Sequence, residues 1–100
     1  MKSEGVYYVY IVTNPGKTVL YTGMTNDLQR RLMEHYCNRG NRGCFAGRYH
    51  AYHLIYYEIF QFVSDAIARE KEIKGWRREK KMKMIMEVNE GLEFLEFSFL

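Results

Sequence analysis

Glu70 is an acid in the middle of an apolar stripe. Val63, Ala66, Ile67, Ile73 and Trp76 recur at the three-and-four spacing of a core-facing helix surface, and Glu70 stands among them. Burying an unpaired carboxylate is costly, so Glu70 requires either a cationic partner or a metal ion. Spacing alone leaves both open. Arg31 and His35 are a second pair, four apart and therefore on one helix face, beside the Leu28–Leu32–Tyr36 stripe. An arginine at that edge can meet Glu70, or a phosphate, which its planar fork matches. Tyrosines make a third group. Strand alternation puts Tyr8 and Tyr10 on one face, with Tyr21 on the partner strand. A buried hydroxyl needs a partner, so tyrosines beside Arg31 and Glu70 would make a polar site on a small sheet.

His35, Cys37, Cys44, His50 and His53 are all metal-ligand types, but they contain no CxxC pair and no finger spacing, so structural zinc is a minor alternative. GxSxG, Walker-type and GxGxxG patterns are absent, which leaves the corresponding hydrolases, P-loop enzymes and dinucleotide binders unsupported.

The elements that must position these residues follow from the pattern. Val6 to Thr13 is β-branched and aromatic and predicts a strand. Asn14-Pro15-Gly16-Lys17 has the signature of a type II turn, and Val19 to Thr22 predicts the returning strand. Gly23 breaks the pattern. Asn26 or Asp27 then caps a helix reaching about Arg39. Residues 38 to 52, with three glycines, read as a mobile, basic loop. A third strand is predicted over His53 to Phe62, a helix capped by Ser64 as far as Lys74, and a last helix from Trp76 to Val88. The order β-β-α-β-α-α implies an α+β fold, a small three-stranded antiparallel sheet flanked by helices.

Length and composition agree. One hundred residues, 47% apolar and 16% aromatic, suffice for one folded domain spanning 1–100 and exclude disorder. No apolar run approaches the roughly 20 residues of a membrane helix, and the N-terminus lacks the apolar core of a signal peptide. Two cysteines suit a reducing, cytoplasmic setting. The net charge of +3 is unevenly spread. Arg30, Arg31, Arg39, Arg42 and Arg48 fill the middle, and eight further cations crowd between Arg69 and Lys83. Such clusters read as a solvated helix face or as a phosphate-backbone footprint. Leu92 to Leu100 is expected to cover the chain's own sheet, with docking on a partner as the alternative.

Together these residues resemble the GIY-YIG nuclease domain, a family that includes homing endonucleases, restriction enzymes and the incision module of bacterial DNA repair. Tyr8-Val9-Tyr10 and Tyr21-Thr22-Gly23 match the two half-motifs, eleven positions apart. Arg31 and His35 match the following helix, and Glu70 matches the metal-binding glutamate. The strings YYVYIVTN, LYTGMTNDLQRRLMEH, LIYYEIF and AIAREKEIKGW are similar to those of small stand-alone bacterial members. Gly5-Val6-Tyr7 fits the literal motif, but Tyr7 would point away from Tyr10, so the spacing selects Tyr10. Met24 stands where some members place a lysine, and Asn89-Glu90 replaces an Asn-Pro, which leaves Asn89 a weak candidate.

The resemblance implies an endonuclease that hydrolyses phosphodiesters of nucleic acid, most readily DNA, with one Mg²⁺ or Mn²⁺ on Glu70. Arg31 would neutralise charge at the phosphate, and Tyr10 would activate the water, its pKa lowered by Arg31 and the metal. Tyr21 and His35 would position the water or phosphate, with His35 an alternative base. Gly23 would let the helix approach the sheet. Arg30, Arg39, Arg42, Arg48, Lys74 and Arg77 would bind flanking phosphates without reading sequence. The expected enzyme is structure-selective, with any further specificity supplied by a protein partner. A non-catalytic nucleic-acid-binding module and a protein-interaction domain are the alternatives.

Overall fold

The computed structural model describes residues 5–95. Three strands, β1 (Tyr7–Thr13), β2 (Leu20–Thr25) and β3 (His53–Phe60), form an antiparallel sheet in the order β2-β1-β3. Helices α1 (Leu28–Cys37) and α2 (Phe45–Arg48) lie between β2 and β3, and α3 (Val63–Lys74) and α4 (Arg78–Val88) follow. The α+β class and the sheet are as the sequence predicts. The short α2 is an addition to the predicted order.

β1 is rich in apolar and aromatic residues because it is the central strand and both its faces are covered. Tyr8, Tyr10 and Val12 face a core completed by Leu28 of α1 and Ala46 of α2. Tyr7, Val9 and Ile11 face the other, built with Ala66 and Ile73 of α3 and Ile85 of α4. The sheet is therefore covered on both sides. Tyr7 and Tyr10 point to opposite cores, as alternation requires.

Several local expectations are corrected. β2 runs through Gly23 instead of stopping at it, and Gly23 pairs with Tyr10 across the strands. The β1–β2 turn closes with Lys17 N–H donating to Asn14 O at 2.9 Å, and the positive φ of 58° belongs to Lys17 rather than Gly16. It is not the type II turn that Gly16 suggested. The Asn14 side-chain oxygen accepts from the Thr18 and Val19 amides, which fixes that geometry.

Asp27 caps α1 by accepting from the Arg30 amide, as predicted. The buried stripe of α1 is Leu28 with His35, while Tyr36 is 47% exposed. The helix is thus rotated from the predicted Leu28–Leu32–Tyr36 face, because a hydroxyl from β1 satisfies the buried imidazole. α3 starts at Val63, one residue ahead of Ser64, and carries no side-chain cap. Only Ala66 and Ile73 of its predicted stripe are buried, and Val63 and Ile67 are substantially exposed.

Residues 38–52 are not a structureless loop. Gly40 N–H donates to Gly47 O at 2.7 Å and Ala51 N–H to Ala46 O at 2.8 Å, knitting the segment around α2. A Cβ on Gly47 would lie 2.4 Å from Asn38 O, so a glycine is required there. Leu95 N–H donates to Leu54 O and Phe94 stacks on His53, so this part of the tail lies on its own sheet, as expected. Residues 96–100 of that predicted segment lie outside the described residues.

Candidate active site

The two half-motif tyrosines and the helix pair converge on one point. Tyr10, fully buried on the central strand, places its hydroxyl 2.7 Å from His35 Nε2 and 3.2 Å from Arg31 Nε. Arg31 has no acceptor atom, so it donates to the phenolic oxygen; with the imidazole in its Nδ1–H tautomer, the phenolic proton goes to His35 Nε2. The ring of Tyr10 lies across Gly23 of the neighbouring strand. A Cβ there would sit 2.4 Å from Tyr10 Oη and 2.5 Å from Cζ. Gly23 therefore makes room for the tyrosine ring, a task the sequence did not signal.

Burial sets the electrostatics. It pushes Tyr10 up to about 12, although Arg31 pulls the other way. Arg31 by itself does not bring the phenol below its ordinary value. Burial, reinforced by the Arg31 charge, pushes His35 down to about 4 against the opposing pull of Glu34. At neutral pH the site therefore presents a neutral imidazole, a neutral phenol and a guanidinium.

Tyr21 joins this cluster to the rest of the surface. Its ring meets His35 at 5.4 Å between centroids, stacks on Phe45 of α2 at 6.3 Å, and lies 5.9 Å beneath Lys74 Nζ of α3. Lys74 in turn pairs with Glu70 at 3.2 Å. The cationic partner of Glu70 is thus a lysine on its own helix. Arg31 instead meets Glu34 at 3.0 Å. Glu70 is half-buried, and its charge reaches the cluster, where it opposes ionisation of Tyr10.

The predicted phosphate contacts fall into two groups along the chain. Arg30, Arg39, Arg42 and Arg48 are exposed on α1, α2 and the segment between them, and Lys74 and Arg77 are exposed at the α3–α4 junction. Arg30 approaches Glu34 at 3.9 Å, and Arg39 stacks over Tyr36. Among the described residues no three His, Cys, Asp or Glu side chains converge, so His35, Cys37, Cys44, His50 and His53 do not form the zinc alternative. Asn89 has a structural task, with its amide donating to Ile55 O and Glu93 O and accepting from Glu93 N–H.

A family model described as the GIY-YIG catalytic domain matches residues 6–83, the span that holds Tyr10, Tyr21, Arg31, His35 and Glu70. The chain belongs to the GIY-YIG family. That places it in a nuclease superfamily. The chain is similar to a UPF0213 protein of Staphylococcus saprophyticus, 37% identical over 81 residues, covering 81% of this chain and 95% of that one. A UPF0213 protein of Haloquadratum walsbyi is 40% identical over 81 residues, covering 81% and 88%. A UPF0213 protein of Bacillus halodurans, solved by NMR in solution, superposes with a TM-score of 0.55 and 27% identity over 86% and 88% of the two chains. The fold is therefore shared with that UPF0213 protein. Among the described residues no helix is long and apolar enough to cross a membrane.

Sequence reasoning missed two participants. Glu34 holds Arg31, and its position three residues after the arginine on one helix was a readable signal. Phe45 extends the aromatic surface from Tyr21, and only the fold brings it there.

Proposed function

We propose that this GIY-YIG chain is a metal-dependent endonuclease that hydrolyses phosphodiester bonds of DNA and selects substrates by structure rather than sequence. The observation supporting it is the Tyr10 hydroxyl held between a charged arginine and a neutral histidine. In this reading Arg31 takes the charge that develops on the phosphate, a preorganised electrostatic role. Tyr10 removes a proton from the attacking water as it passes its own proton to His35 Nε2. A relay of this kind needs no free tyrosinate, which a pKa of about 12 makes scarce at neutral pH. Negative charge brought in by the phosphate raises the proton affinity of His35 when it is needed.

Glu70 would hold Mg²⁺ or Mn²⁺. A lone, half-buried carboxylate fits that chemistry, since Mg²⁺ keeps several waters and takes one or two protein carboxylates. Bound there, the ion supplies polarisation of the phosphate and stabilisation of the leaving oxygen. Lys74 then exchanges its carboxylate partner for a substrate phosphate. The exposed arginines add affinity without reading bases, which supports structural rather than sequence selection.

The test is a cleavage assay on labelled single strands, duplex, flap, junction and RNA, with Mg²⁺, Mn²⁺ or EDTA, beside Glu70→Ala protein. Cleavage that requires metal and disappears in the variant is expected. Retention of substrates at low salt with no cleavage under any condition would replace the nuclease with a binding module.

A further inference from the structure

The segment from His35 to Tyr57 contains no acidic residue, yet it holds Arg39, Arg42 and Arg48. Within it Phe45 is 51% and Tyr49 43% exposed, with ring centroids 5.0 Å apart. Two neighbouring aromatic rings facing water present free π-faces to a ligand. They are held by a rigid frame, because the hydrogen bonds around α2 and the close passage of Gly47 fix the backbone that carries them. A platform already ordered has little conformational freedom left to lose on binding. It is also continuous with the candidate active site, since Phe45 stacks on Tyr21. Among the described residues Arg39, Arg42 and Arg48 form no ion pair with a carboxylate, so their charge is available to an anion.

From this arrangement we infer that Phe45 and Tyr49 form a stacking subsite for an unpaired nucleobase beside the cleavage centre, with Arg39, Arg42 and Arg48 on its flanking phosphates. Exposed rings in a segment that carries cations and no acid suit a ligand that is both a polyanion and a row of π-faces. A base inside a duplex offers no free face, so the subsite favours strands with an unstacked nucleotide. This rests on the proposed nucleic-acid reading and names the substrate feature that reading leaves open.

Binding is tested without metal, so that cleavage plays no part. A short oligodeoxythymidine with one central 2-aminopurine is titrated in EDTA, alone or annealed to its complement. Wild type is compared with the pair Phe45→Leu and Tyr49→Leu, and with the pair Phe45→Tyr and Tyr49→Phe. Stacking should quench the fluorophore in the single strand. The leucine pair should bind it roughly 5- to 100-fold more weakly without quenching, and the aromatic pair should keep both properties. Duplex binding should be alike in all three proteins. Wild-type affinity and quenching in the leucine pair would overturn the subsite, and so would equal loss in the aromatic pair, which would mean packing rather than stacking. If the wild type binds neither strand nor duplex at low salt, the nucleic-acid reading itself fails.

Discussion

A single methyl group at Gly23 should dismantle the polar cluster. The Cβ of Gly23→Ala would lie 2.4, 2.5 and 2.9 Å from Oη, Cζ and Cε2 of Tyr10, where ordinary contact begins at 3.4 Å. The ring must therefore move by about 1 Å, and it has no empty space to enter, since Tyr10 is fully buried. A shift of that size takes the hydroxyl out of range of at least one of its partners, now at 2.7 and 3.2 Å. Overpacking costs about 1–3 kcal/mol, and a lost hydrogen bond adds roughly 0.5–1.5 kcal/mol, more where the partner is charged. Even about 2 kcal/mol lowers Tm by roughly 8–16 °C in a domain of this size. Thermal unfolding measures that part. NMR titration of His35 measures the other, since a histidine released from its burial and from Arg31 should move up from about 4 towards its ordinary value near 6.5. In a Tyr10→Leu background the same substitution should cost much less, because the two side chains would no longer compete for space. Wild-type Tm and an unmoved His35 in Gly23→Ala would refute the account of why a glycine stands there.

Tyr10→Phe should reduce cleavage by about 100-fold or more, the range of a lost proton-transfer group, while Tyr7→Phe leaves it unchanged because Tyr7 belongs to the opposite core. Plotted against pH, kcat/KM, which reports the free protein, should show no inflection near 6.5 and should fall only towards pH 4, where His35 gains a proton and can no longer accept one. Away from the site, Arg69 grips Glu58 with bonds of 2.9 and 3.0 Å, and Tyr56 donates to the same carboxylate. Burial pushes the Glu58 pKa up, but these bonds outweigh it and leave it below the ordinary carboxylate value. The ionised form therefore contributes stability above about pH 4.5 that is lost as pH falls through the lowered pKa. Glu58→Gln should cost roughly 1–3 kcal/mol in urea unfolding at pH 7, and the difference from wild type should shrink below pH 4.5.

What the sequence disclosed was whatever depends on spacing along one element. Alternation placed Tyr8 and Tyr10 together, the capping side chain fixed the start of α1, and helical period set Arg31 beside His35. Features that depend on a partner from elsewhere in the chain stayed hidden. His35 replaced Tyr36 in the buried face of α1 because a hydroxyl twenty-five positions earlier was waiting for it. Gly23 resembled a strand terminator until the ring lying across it was visible. Helical period sets Glu70 in an apolar stripe, but Val63 and Ile67 of that stripe are exposed. The lock between Glu58 and Arg69 spans two elements and has no local signature.

The resting charges of the site also determine how a phosphate enters it. Arg31 is engaged by Glu34 at 3.0 Å and Lys74 by Glu70 at 3.2 Å, so each cation nearest the tyrosines already has a carboxylate. An incoming phosphate must displace them. Glu34 is the easier to displace, being 45% exposed and only one helical turn from Arg31. An exposed pair of this kind stabilises a helix by roughly 0.2–0.5 kcal/mol, so Glu34→Gln should leave folding nearly unchanged. It also removes a negative charge beside the phosphate position, which at surface dielectric is a stronger effect than the lost pair. The variant should therefore bind labelled DNA several-fold more tightly at low salt, and added salt should erase the gain. Weaker binding by a stably folded Glu34→Gln protein would mean that the carboxylate orients Arg31 for the phosphate instead of competing with it.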